Sequence, residues 1–507
     1  MECKVVVWAT VLAASVVGAP GPVSAQPPAE RSFERMVTGN GHTIASFDRV
    51  TGRLDTFMEH PYRFNRPRNM PADLCYAADE SRDLAFDTYF GARIDGEGVW
   101  LGEVALADAH YVVGTNIIEV ERHAGPARTI EFRTHTFSPT GLELPVVVMA
   151  VTATNNSDAA HTIDLAALFN FHLGDAAGGR EPSPNDEGVS WDATRDVFYE
   201  FSDRSAGTIA YVPLGPVAHH TASGGASSGY QTVRAGNALD DVSSNTGNDL
   251  APAVQTATTT LAPGASTSFA TAIVWALDED ACPKVDAVRT WAASRTPSPL
   301  VAAEEAAWAA WHTTPPGGLS ATQRDLWLQS NVVLRMGQVR EPGRGFGQIL
   351  ASLPPGLGFV DAQWNIAWVR DMAYAVVGLI RAGHMDEAEA ALRFQIEAGP
   401  GLRTAEVGGP YRISATRYFG NGQEETDCNA DGPNIEFDGF GLYLWTLGEY
   451  LRAGGDLEFV RDFYPELRDG VADVLINLID DEGIVAADSS IWEVHWNGRQ
   501  KRFTYTS

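Results

Sequence analysis

Three short blocks of the sequence gather residues that could bind a sugar and move a proton. The first is Trp364-Asn-Ile-Ala-Trp368-Val-Arg370-Asp371. The second is Asp431-Gly432-Pro433-Asn434-Ile-Glu436-Phe-Asp438-Gly439. The third is Asp488-Ser-Ser-Ile-Trp492-Glu493-Val494-His495, with Phe503-Thr504-Tyr505 close behind. Cleavage of a glycosidic bond needs one carboxylic acid to protonate the leaving oxygen. It needs a second carboxylate to activate water or attack the sugar carbon. The acid has to stay protonated near neutral pH, which an apolar wall achieves. Glu493 has that setting in sequence, between Ile491, Trp492 and Val494, with Trp496, Phe503 and Tyr505 following. Arg370 offers a planar donor fork and Asp371 an acceptor for hydroxyl protons. Trp364, Trp368 and Trp492 offer ring faces on which the apolar face of a sugar can stack.

Each block also has a plainer reading. Glu493 could be a solvated carboxylate in an aromatic loop. Arg370 and Asp371 could form an ion pair at a helix start. Asp431 to Pro433 is a turn by composition, and Glu436 and Asp438 suit the capping or orienting of the next helix. The 12 histidines show no metal-ligand spacing. No metal and no other cofactor is expected.

The elements that must position these blocks change character along the chain. Residues 30–292 read as antiparallel β structure. Thr129 to Phe137 alternates, with Ile130, Phe132, His135 and Phe137 among polar partners. Val146 to Val151, Ile163 to Phe171 and Thr258 to Leu277 supply further strands. Residues 174–191 and 219–250 are rich in Gly, Ser, Asp and Asn and read as long surface loops. A linker over 293–319 holds a short helix near 299–312 and ends at Pro315-Pro316-Gly317-Gly318. From Ser320 the pattern is helical. Ser320 and Gln323 can form a capping box. Arg381-Ala382-Gly383 and Arg452-Ala453-Gly454 are matching helix ends, each followed by an acidic start, at Asp386 and Asp456. Such repeated helical hairpins could be arranged in a ring.

Composition narrows the partners. The 507 residues exceed one core, and 44% hydrophobic with 20% charged residues is a globular balance. A net charge of -29 repels nucleic acid and anionic lipid, so neither is expected as a partner. Residues 1–25 read as a secretory signal: Lys4, an apolar run from Val5 to Gly18, then the small-residue site Val23-Ser24-Ala25. That run is too short to span a bilayer. Loss of the signal removes Cys3 and leaves Cys75, Cys282 and Cys428. One bridge is then possible, with Cys75–Cys282 the better pair.

Trp368-x-Arg370-Asp371, Asp431-Gly432-Pro433 and Ile491-Trp492-Glu493 occur in the order seen in glucoamylases. Residues 320–507 therefore resemble glycoside hydrolase family fifteen, which also holds glucodextranases and some trehalases. The β region resembles the sandwich that prokaryotic members carry before an (α/α)6 barrel. The resemblance implies that Arg370 and Asp371 hold the outer hydroxyls of the terminal glucose. It implies that Trp364 and Trp368 line that subsite, and that Glu493, beside Trp492, is the general acid of an inverting, exo-acting hydrolase of α-glucosides. No cofactor is implied. Val494 stands where many members have a second glutamate, which leaves the leaving-sugar subsite and trehalose open. Trp364 stands where a tyrosine is common. Residues 320–507 suffice for about the first half of such a barrel, and the second catalytic carboxylate falls in the other half. Little turnover is expected from this chain by itself. A related sugar phosphorylase and a non-catalytic glycan-binding protein are the alternatives.

Overall fold

The structure, a computed structural model, describes residues 35–49, 51–58, 84–173, 187–202, 207–247, 250–277, 280–292, 297–353, 365–498 and 501–507. The proposed signal, Cys75 and Trp364 lie outside these residues.

Two antiparallel sheets form a sandwich. The first runs, in spatial order, Arg35–Gly39, Ile44–Asp48, Arg53–Met58, Ala85–Ile94, His161–Phe171, Ala253–Gln255, His219–Thr221. The second runs Ser244–Gly247, Glu187–Asp192, Val197–Ser202, Gly207–Pro213, Ser266–Leu277, Val146–Asn155, Ile130–Phe137, Ile118–Ala124, Leu106–Tyr111. Their inner faces share one core, to which Phe90, Leu165 and Phe169 contribute from the first sheet and Phe132, Val151, Ile209 and Ile273 from the second. The outer face of the second sheet is covered as well. Val146, Val148 and Val274 pack there against Val285 and Val288 of helix Ala281–Ala292 and Leu300 of helix Pro297–Trp311. Burial on both faces explains why Val146 to Val151 is uniformly apolar rather than alternating.

The structure corrects several expectations. Strand Ile130–Phe137 does alternate, but Thr134 and Thr136 continue the inner face set by Ile130 and Phe132. His135 lies on the other face and meets Glu119 at 2.9 Å. Period-two geometry allows no other outcome once Ile130 points inward. Residues 187–191 are strand, not loop. The 219–250 stretch holds two strands and a short helix, Gly229–Arg234. Helix Ala281–Ala292 falls inside the region read as wholly β. Cys282 and Cys428 are both disulfide-bonded, whereas a lone Cys75–Cys282 bridge would leave Cys428 reduced.

From Ser320 the chain is mainly helical. Helix Ala321–Gly337 opens on the expected capping box: the Ser320 hydroxyl accepts from the Gln323 N–H at 3.3 Å, and the Gln323 side chain accepts from the Ser320 N–H at 2.9 Å. Helix Val369–Ala382 ends at Gly383, whose φ of 84° is the left-handed conformation that glycine adopts without strain. Met385–Glu397 then returns alongside it. Asp438–Arg452 packs on both and is followed by Leu457–Asp462, which Asp456 caps. One departure from the helical pattern matters. Ala367–Trp368, Arg417–Tyr418 and Glu424–Glu425 form a small antiparallel sheet in which Trp368 pairs with Arg417 and Arg417 with Glu425.

The helical part is fastened to the sandwich. Arg340 N–H donates to the Gly41 carbonyl at 2.9 Å, and Ile44 packs on Val339 and Leu350. The buried Trp308 donates to Asn116 at 3.0 Å. No helix among the described residues is long and apolar enough to cross a membrane.

Candidate active site

Glu493 sits in a tight turn that is zipped onto the second sequence block. Ser489 N–H donates to the Ile435 carbonyl at 2.7 Å, Trp496 N–H to the Pro433 carbonyl at 2.8 Å and Asn497 N–H to the Asp431 carbonyl at 2.9 Å. The buried Asp488 carboxylate accepts from the Phe437 N–H at 2.9 Å. The Asp431-Gly432-Pro433 turn is thus a backbone frame for the Glu493 turn. Three non-glycine residues here hold left-handed backbones: Asp427 at φ 46°, Ser490 at φ 53° and Glu493 at φ 51°. Such conformations cost energy and persist where the surroundings impose them.

The structure brings Glu493 and Arg370 within electrostatic reach of one another, across more than 120 positions of sequence. Burial pushes the Glu493 carboxyl up, and the like charge of Asp427 adds to it, while Arg417, Arg370 and His495 pull it down. The net direction is upward, toward a group that keeps its proton. Trp492 stands beside it with 71% of its surface exposed.

Arg370 starts helix Val369–Ala382 and points into a knot of acid. Its Nε donates to Asp438 at 2.7 Å, and its Nη2 donates to Glu436, which also accepts from Asn434 at 3.0 Å. Burial pushes Glu436 up to about 8, with Asp438 adding to it and Arg370 opposing. The Tyr505 ring lies over Arg370 at 5.6 Å. Nη1 makes no hydrogen bond within the described residues, so one edge of the fork is free.

Asp371 and Arg370 do not act as one pair. The next residue on a helix is turned by about 100°, and Asp371 emerges on the exposed side, in a groove of about 380 Å³ shared with Leu334, Leu350 and Tyr374. Its carboxyl is crowded by neighbouring protein and pushed up by that partial burial, against the pull of Arg370. Trp368 is 1% exposed. One ring face is covered by the Arg417 guanidinium at 4.7 Å. It stands behind the site, where no sugar can stack on that face.

Sequence reasoning missed the residues that link these parts. Arg417 is buried, donates to Glu425, and reaches Asp427 at 2.9 Å. His495 in turn bonds the Asp427 carbonyl at 2.7 Å. The small sheet therefore carries a chain of contacts from Trp368 through Arg417 and Asp427 to the Glu493 turn. The sequence signal was the run Glu424-Glu425-Thr426-Asp427 near Arg417, which only strand register converts into a site.

The described residues hold no cluster of His, Cys, Asp and Glu arranged for a metal ion. The arrangement can hold a proton on Glu493 and offer donors from Arg370 to a neutral, hydroxyl-bearing ligand.

A β-sandwich followed by a helical domain is an architecture that solved carbohydrate-active enzymes share. A structure of a bacterial glucoamylase complexed with acarbose matches 94% of this chain at a TM-score of 0.61, with 12% sequence identity. A protein described as a kojibiose phosphorylase from the human microbiome matches 89% at a TM-score of 0.55, with 10% identity. The chain spans 62% of the first protein's length and 58% of the second's. Identities this low show shared fold. No protein-family model and no curated protein sequence matches the chain.

Proposed function

We propose that this protein takes part in exo-acting, inverting hydrolysis of α-glucosidic bonds in glucans or glucose oligosaccharides, outside the cell. Glu493 is the general acid. Arg370 offers its free edge to the hydroxyls of the terminal glucose, with Trp492 as a further contact and Trp368 supporting from behind. The observation that carries the reading is Glu493 itself: a carboxyl held in a strained turn, pushed toward protonation, beside an arginine already clamped in place. Inversion requires a second carboxylate about 6.5–9.5 Å away with water between. Asp438 is spent on Arg370, so we assign the base to the part of the neighbours' fold that this chain does not span. The helical hairpins would then be the first part of a ring.

A phosphorylase is the second reading, because the second neighbour is described as one. Asp427 and Asp438 bring negative charge to the centre, which opposes a phosphate dianion. One experiment separates the two. Maltooligosaccharides and isomaltose are incubated with the protein, with and without phosphate, and the first product is read by proton NMR. The proposal expects β-glucose, independent of phosphate, with weak turnover from the 507-residue chain. Glucose 1-phosphate, or α-glucose as first product, would overturn it. The neighbour's ligand acarbose is the matching binding probe.

A further inference from the structure

A second cavity lies at the far end of the small sheet, around the turn that joins Arg417–Tyr418 to Glu424–Glu425. It has a volume of about 560 Å³ and is lined by Arg344, Arg393 and Arg412, together with Glu397, Phe346 and Phe394. Three guanidiniums around one cavity stand out in a chain with 36 basic and 65 acidic residues. Two of them are unspent. Arg412 is anchored by Nε, which donates to the Ile396 carbonyl at 2.6 Å, and its Nη edge has no hydrogen-bond partner among the described residues. Arg344 is exposed and makes no side-chain hydrogen bond or ion pair there. Arg393 is partly committed, to Glu389 at 2.9 Å and Glu397 at 3.4 Å.

A plain structural role accounts for some of this. A basic residue near a helix end commonly bonds the last carbonyls, and the Arg412 Nε does so. That role uses one donor and leaves the planar Nη fork presented to the cavity. A fork of that shape matches the two oxygens of a carboxylate or phosphate. The cavity size is that of ordinary small-ligand sites, and two phenylalanine side chains give an apolar wall for a ring.

We propose that this cavity binds a small sugar-sized oxyanion, a phosphorylated or carboxylated monosaccharide, through Arg344 and Arg412. The site is separate from the Glu493 centre, and the assignment does not depend on the hydrolase reading. Glu397, its only acidic lining residue among the described residues, is already engaged by Arg393, so the local balance there is positive where the molecule is negative.

Calorimetric titration of the 507-residue chain with glucose 6-phosphate, glucuronate, inorganic phosphate and uncharged glucose tests this. Binding of at least one of the two sugar anions is expected, weakening as salt rises, with no binding of glucose at this cavity. Glucose 6-phosphate against glucuronate tells phosphoryl from carboxyl recognition. Tight binding of inorganic phosphate alone would remove the sugar from the proposal and overturn it. R412Q should weaken binding by about tenfold or more. R344Q should weaken it less, and because Arg344 is exposed and unbonded it leaves the fold intact. E493Q should leave anion binding at this cavity unchanged. Absence of binding to every anion at millimolar concentration, or binding that R344Q and R412Q leave unchanged, would overturn the assignment.

Discussion

Replacing Glu493 by Gln keeps the shape of the side chain and removes its transferable proton. General acid catalysis contributes about 10²–10⁴-fold, so in an enzyme that also holds the second carboxylate, turnover of natural oligosaccharides should fall by roughly that range. Glucosyl fluoride needs little acid help, and its loss should be much smaller. Equal losses on both substrates would exclude Glu493 as the acid. Arg370→Ala should differ in kind. It strands Glu436 and Asp438, two mostly buried carboxylates, without their partner, and breaking such a pair costs about 3–5 kcal/mol. Thermal unfolding should register that loss before any kinetic measurement does. At this scale the sequence showed which residues could do chemistry, Arg370 and Glu493 among them. It did not show what each touches. Asp371 follows Arg370 directly yet faces another groove, and Trp368 has the composition of a stacking platform but is covered by Arg417.

Helix ends were the most legible elements, because capping is local chemistry. Ser320 with Gln323, Gly383 and Asp456 all behave as their residue types dictate. Ser320→Ala removes one half of the capping box and should cost about 1 kcal/mol. An unchanged unfolding midpoint would show that the box contributes nothing to the helical part. The small three-stranded sheet was not legible. Its strands are two residues long, too short for any periodicity, and their pairing is set by tertiary packing. The turn-rich 219–250 stretch misled for a related reason. Composition marks where a chain turns, not whether the pieces between turns find partners such as the 187–192 strand for Ser244–Gly247.

At the scale of the whole molecule, the change from β to α was plain in sequence, and the contacts that join the two parts were not. Glu304, on helix Pro297–Trp311, is one of them. It is 2% exposed, and both its oxygens accept from the Thr140 N–H of the sandwich at 3.1 Å. Burial pushes its carboxyl up from 4.5 to about 7. A folded-state value above the unfolded one means that the protonated form is favoured by folding. The stabilisation is fully present below about pH 4.5 and is lost as pH rises through about 7, on the order of 3 kcal/mol. Glu304→Gln should flatten the pH dependence of stability across that window. An unaltered profile would show that Glu304 does not set it.

The claim on which the functional account rests is that the fold holds Glu493 as a proton donor beside Arg370, and the proton can be observed directly. Carbon-13 NMR titration of glutamate-labelled protein, with E493Q to assign the resonance, measures the affinity of that carboxyl. The account predicts a pKa above the ordinary glutamate value, falling when Asp427 is changed to Asn, because burial and the charge of Asp427 both favour the neutral form. A Glu493 carboxyl that titrates at or below the ordinary value, indifferent to Asp427→Asn, would contradict it.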